Sequence, residues 1–99
     1  MKVTLVQSGG FGGLRSTTTA DTESLAPDEA KELAGLVDAA GFFELPDEIG
    51  IPPKHADRFQ YRIAVGDGTR DRTIRMSEKA LSDPLKELVR WVQDTGTRA

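Results

Sequence analysis

Residues 59–76, FQYRIAVGDGTRDRTIRM, constrain the fold more tightly than any other stretch of the chain. Phe59, Tyr61, Ile63 and Val65 alternate with Gln60, Arg62 and Ala64, the period of a strand with one buried face. Asp67-Gly68 follows, a pair favoured in two-residue type I′ turns because both central residues there take positive φ. With these two residues as the turn, Gly66 faces Thr69, Tyr61 faces Ile74 and Phe59 faces Met76. The apolar residues then share one side, and Gln60, Arg62, Thr73 and Arg75 share the other. A slip of one residue would scatter them between the faces, so the pattern predicts an antiparallel hairpin with one dry face and one wet face.

The rest of the chain supplies partners for that dry face. Val3–Gln7 reads as a short strand and Leu14–Ala20 as a second, rich in β-branched threonine. The segment between them closes an antiparallel hairpin through a connection longer than a tight turn. Pro27-Asp28-Glu29 opens a helix, with proline at the first helical position and carboxylates near the positive end of the dipole. Ala30, Leu33, Leu36, Val37 and Ala40 form its apolar stripe, and Gly41 is its expected stop. Phe42, Phe43 and Leu45 are expected to fold back onto the core, with Phe43 inside it. Residues 47–57, with Gly50, Pro52 and Pro53, have loop chemistry.

A second helix starts at Ser82-Asp83-Pro84, a cap followed by proline. Leu85, Leu88, Val89 and Val92 make its stripe, Trp91 sits at the margin, and the chain is expected to fray after Asp94. Strand, strand, helix thus occurs twice, and neither half can bury its helix alone. The expectation is an α+β fold: a four-stranded antiparallel sheet with two helices packed on one face, in β-β-α-β-β-α order. Arg62, Thr73 and Arg75 would lie on the open face. Ninety-nine residues supply one core, so residues 1–99 are expected to form a single domain.

Several function classes are poorly served by this composition. Cysteine is absent, which removes disulfides, thiol nucleophiles and cysteine-based metal sites. His55, in Lys54-His55-Ala56-Asp57, is the lone histidine and reads as a solvated loop residue, short of a ligand set. Ser8 and Ser16 have no visible base. No enzyme and no cofactor are expected. Thirteen Lys and Arg against sixteen Asp and Glu give a net charge of −3, which argues against nonspecific nucleic-acid binding. No run approaches the ~20 apolar residues of a membrane span, and no signal-like segment opens the chain. A cytoplasmic monomer is expected. The charge is uneven, however. Residues 21–48 hold nine acids and one lysine, while residues 58–79 hold six basic residues and three acids.

The stretch Ser8-Gly9-Gly10-Phe11-Gly12-Gly13-Leu14 sets four glycines around one large apolar ring. It matches neither the Rossmann nor the Walker spacing, and it opens no helix whose dipole could hold a phosphate. Two readings remain. Phe11 caps the edge of the core on a wide turn, or a slim loop offers Phe11 and Leu14 to a partner's pocket.

Four pieces taken in order, SGGFGGLR, LAPDEAKELAGLVDAAGFFELP, ADRFQYRIAVGDG and LSDPLKELVRWV, resemble the emfourin family. Its members are small proteinaceous inhibitors of protealysin-like, thermolysin-type (M4) zinc metalloproteases. The resemblance implies an intracellular inhibitor that binds its protease tightly and reversibly. It also implies a use for the glycine segment. Such proteases prefer a bulky apolar residue just after the scissile bond, and Ser8, Gly9, Gly10, Phe11, Gly12, Gly13 and Leu14 would present one on a backbone thin enough to enter the cleft. A second reading keeps the open sheet face as the working surface. There Arg62 and Arg75, with Arg72 nearby, would bind another protein or an acidic ligand in a regulatory module.

Overall fold

The hairpin that dominates the sequence lies inside the sheet, flanked on both sides. In the computed structural model, which describes residues 1–9, 14–50 and 60–98, its strands are β4 (Gln60–Gly66) and β5 (Asp71–Ser77). Their register differs from expectation by two residues. Gly66 pairs with Asp71, Ile63 with Ile74 and Tyr61 with Met76, and Phe59 lies outside the described residues. Asp67 is the reason. Its Oδ1 accepts the backbone N–H of Thr69 at 2.9 Å, the backbone N–H of Arg70 at 2.7 Å and the Thr69 hydroxyl at 2.9 Å. The Asp67 N–H donates to the Arg70 carbonyl at 3.0 Å, closing a four-residue loop. Only Gly68 in that loop takes positive φ, at 93°, whereas a type I′ turn needs two such residues. A shift of two preserves the side-chain alternation, so each residue still faces the expected side.

The sheet itself is larger than four strands. β1 (Lys2–Gly9) pairs antiparallel with β4 on one side and with β2 (Leu14–Asp21) on the other. Two-residue strands extend both edges: β3 (Glu48–Ile49) runs parallel to β5, and β6 (Thr97–Arg98) runs antiparallel to β2. The order is β3-β5-β4-β1-β2-β6, a mixed six-stranded sheet in place of the four-stranded antiparallel one expected. Contacts distant in sequence place both additions. The Arg75 N–H donates to the Asp47 carbonyl at 2.9 Å, and the Arg75 and Arg72 guanidiniums pair with Glu48 and Asp47. Arg72 also donates to the Leu45 carbonyl. At the other edge the chain does not fray. Gly96 caps the last helix with its N–H on the Val92 carbonyl at 2.8 Å, and Thr97 and Arg98 pair with Thr19 and Thr18.

Two helices cover one face. α1 (Pro27–Ala39) buries Leu33 and Val37, and α2 (Asp83–Thr95) buries Leu85, Leu88, Val89 and Val92. Ser82 caps α2 through its Oγ, which accepts the Leu85 N–H at 3.4 Å. α1 ends as expected at Gly41, whose φ of 59° is costly for any residue with a Cβ. The sheet's contribution to the core alternates along each strand: Val3 and Leu5, Ala20, then Ile63 and Val65, Ile74 and Met76. Phe42 enters this cluster at 1% exposure. Phe43, expected in the core, packs only at its margin. It stands edge-on to Phe42 with 6.1 Å between ring centroids, and the Arg70 guanidinium lies 4.0 Å over its face. A 3₁₀ turn over Phe42–Glu44 explains the exchange, because it rotates successive side chains by roughly a third of a turn and only one ring can point inward.

Candidate functional site

Register fixes the ends of the glycine segment. Gly9 and Leu14 are cross-strand partners at the end of the β1–β2 hairpin, and Ser8 pairs with Arg15 on one side and Gln60 on the other. Of the seven candidate residues, Ser8, Gly9 and Leu14 therefore meet as strand termini. Gly10, Phe11, Gly12 and Gly13 lie outside the described residues, as does His55. The β1–β2 ladder runs for eight pairs without a break, so the two ends are held by continuous pairing.

One step in from those termini, on the helix-covered face, Gln7 lies between Tyr61 and Ser16. Gln7 Oε1 accepts from Gln93 Nε2 of α2 at 3.3 Å, which ties the helix to this end of the sheet. Tyr61 is buried beside it. Burial pushes its phenol pKa up, the nearby Glu78 carboxylate adds to that, and a side-chain hydrogen bond with Gln93 works in the other direction. β5 ends at Ser77 opposite Gln60, and the chain then makes a 3₁₀ turn over Glu78–Ala80 before α2 begins.

Between that turn and α2 runs a groove of about 350 Å³. Among the described residues Tyr61, Leu81 and Val89 contribute its apolar lining, and Lys79, Lys86, Arg90 and Gln93 its polar one, with Glu78 the one acid. These cations stand outside every candidate-site motif of the sequence. Lys86 and Arg90 are spaced i, i+4 on the exposed side of α2, a visible signal, but Lys79 joins them only through the fold.

The open sheet face differs from its expected character. Glu48, Arg75, Arg62, Val6 and Thr17 form one row across five strands, because each is the register partner of the next. Arg75 pairs with Glu48, and Arg72 with Asp47 at 3.1 Å, so two of the three arginines are neutralised by acids on or beside β3. Arg62 makes no ion pair among the described residues, and it shares a shallow cleft with Asp47, Glu48, Thr73 and Arg75. Among the described residues no group of three His, Cys, Asp or Glu side chains is placed to hold a metal ion. None of the described helices is long and apolar enough to cross a membrane.

The family model described as Emfourin matches residues 5–93. Comparison with curated proteins and with solved structures gives no match.

Proposed function

The chain belongs to the emfourin family, whose model covers residues 5–93, and from that membership we propose that it inhibits an M4 (protealysin- or thermolysin-like) zinc metalloprotease by reversible occupation of the active-site cleft. Ser8–Leu14 enters the cleft and Phe11 fills the apolar pocket that takes the residue after the scissile bond. The protein needs no cofactor of its own in this role, and it meets its protease in the cytoplasm. One structural observation supports the reading. Gly9 and Leu14 are paired at the end of an uninterrupted eight-pair ladder, so the scaffold holds both ends of the segment before any partner arrives. Preorganisation of that kind reduces the ordering that binding must supply. Cleavage of a peptide substrate by purified thermolysin-like enzymes, including one encoded in the same genome, tests the proposal. Progressive loss of cleavage as the protein is added is expected. Full activity of every enzyme with the protein at micromolar concentration would overturn it.

A further inference from the structure

The groove beside the glycine segment concentrates charge of the sign opposite to the whole chain. The protein carries −3 overall, yet among the described residues Lys79, Lys86 and Arg90 line this groove against Glu78 alone. All three cations are exposed, and none makes an ion pair among the described residues. Lys86 and Arg90 sit one helical turn apart, where like charges repel, and Lys79 adds to that repulsion from the facing turn. Arg90 stands on the ridge between this groove and the one along α1 and α2, where Glu32, Glu87 and Asp94 lie and draw part of its charge, so Lys79 and Lys86 carry most of the groove's field. An external anion would relieve the repulsion. Below the charged rim, Leu81, Val89 and Tyr61 offer apolar contact for the stem of an acidic side chain.

The groove also adjoins the segment assigned to the cleft. Gln93 lines it and hydrogen-bonds Gln7, two residues before Gly9. Tyr61 lines it and is the cross-strand partner of that same Gln7. Gln7 thus joins the end of the β1–β2 hairpin to the groove through both residues.

We infer that the groove formed by Lys79, Lys86, Arg90 and Tyr61 is a second docking surface, which receives an acidic segment on the rim of the metalloprotease while Ser8–Leu14 occupies its cleft. This rests on the proposed inhibitory function. Its contribution is chiefly steering: complementary charge raises the association rate and fixes the orientation of approach.

The test follows the onset of inhibition for the wild-type protein and for Lys79→Glu/Lys86→Glu/Arg90→Glu, at ~20 mM and ~500 mM salt, below and above the point where screening shortens to side-chain distances. At low salt the variant's association rate is expected to fall by about tenfold or more, with the gap closing at high salt and the dissociation rate nearly unchanged. Equal association rates at low salt overturn the inference, and so does a loss confined to the dissociation rate. Lys79→Gln/Lys86→Gln/Arg90→Gln, which removes charge without reversing it, should show an intermediate effect and serves if the reversed variant folds poorly. If the wild-type protein inhibits no such protease, the inhibitory reading fails, and the groove is examined directly by titration with a hexaglutamate peptide. Saturable amide shifts at Tyr61, Lys86 and Gln93 that vanish in the variant uphold an acid-binding groove. Their absence overturns it.

Discussion

Truncating Phe42 and Phe43 separately discriminates between the core as built and the core as the apolar pattern alone suggests. Among the described residues Phe42 is the largest fully buried side chain, 1% exposed in the cluster with Leu33 and Ile63. Phe42→Ala removes a whole ring from a packed interior and should cost about 3–5 kcal/mol. Phe43 is half-buried, and its interactions are an edge-on contact with Phe42 and the Arg70 guanidinium over its face. An aromatic pair contributes about 0.5–1.5 kcal/mol and an exposed cation–π contact about 0.5–1 kcal/mol, so these contacts add about 1–2.5 kcal/mol to the partial burial of the ring, and Phe43→Ala should cost less than Phe42→Ala. Urea melts fitted with a common slope give both values. For a domain of this size each kcal/mol lowers the melting temperature by roughly 4–8 °C, so the two variants should separate clearly on heating. Equal losses, or a loss below about 1 kcal/mol for Phe42→Ala, would refute the assignment of Phe42 as the buried ring of the pair.

Phe11→Ala should raise the inhibition constant at least ~10-fold, about 1.4 kcal/mol, while the melting temperature stays put; unchanged inhibition would remove Phe11 as an anchor. A Cβ on Gly96 would lie 2.6 Å from the Val92 carbonyl oxygen and 2.9 Å from that of Thr19, so Gly96→Ala should cost about 1–3 kcal/mol and speed hydrogen exchange at Thr97 and Arg98; wild-type exchange there would contradict the packing of β6. Hydrogen bonds from the Thr69 and Arg70 backbone, then from their side chains, hold the Asp67 carboxyl pKa below its usual 3.8. A depressed folded-state value stabilises the protein above 3.8 and is lost as pH falls below it, so the stability gap between wild type and Asp67→Asn should narrow on acidification through that window; a constant gap would deny the carboxylate its role in the loop.

What could be read in advance was local. Both long helices, the Ser82 cap and the Gly41 stop follow from spacing and capping chemistry within one or two turns of chain. The faces of β4 and β5 were legible because alternation survives an even shift, whereas the register itself turned on one carboxylate that accepts three hydrogen bonds. β3 and β6 left no signal, since a two-residue strand has no period and is placed by Arg75, Gly96 and their distant partners. The central position of β1 was equally hidden, because pairing of Lys2–Ser8 with Gln60–Gly66 spans most of the chain. At the candidate site, the β1–β2 hairpin followed from two strand patterns flanking the glycines, but its ladder runs past the expected end at Gln7 to pair Gly9 with Leu14. The basic groove did not, because Lys79 comes to α2 from the 3₁₀ turn after β5 and Tyr61 from β4.

On the proposed reading, the energetics of the glycine segment limit what the loop alone can contribute. Fixing one residue's backbone costs about 1–2 kcal/mol, so ordering all seven residues from Ser8 to Leu14 out of a free peptide costs about 7–14 kcal/mol, and glycines place this segment toward the upper end. Burying one phenylalanine ring, at ~150–250 Å² and ~25 cal/mol per Å², returns only about 4–6 kcal/mol. An isolated peptide SGGFGGL should therefore inhibit feebly if at all, and strong inhibition by it would mean that the scaffold contributes nothing. In the folded protein the β1–β2 ladder has already fixed Ser8, Gly9 and Leu14, which removes about 3–6 kcal/mol of that cost before binding. Against that, one ring returns a modest gain once the loss of overall motion on association is counted. Tight inhibition then demands contact beyond the loop. Among the described residues, one surface joined to Gly9 through Gln7, Gln93 and Tyr61 is the groove lined by Lys79, Lys86 and Arg90, whose charge would act first on the rate of association.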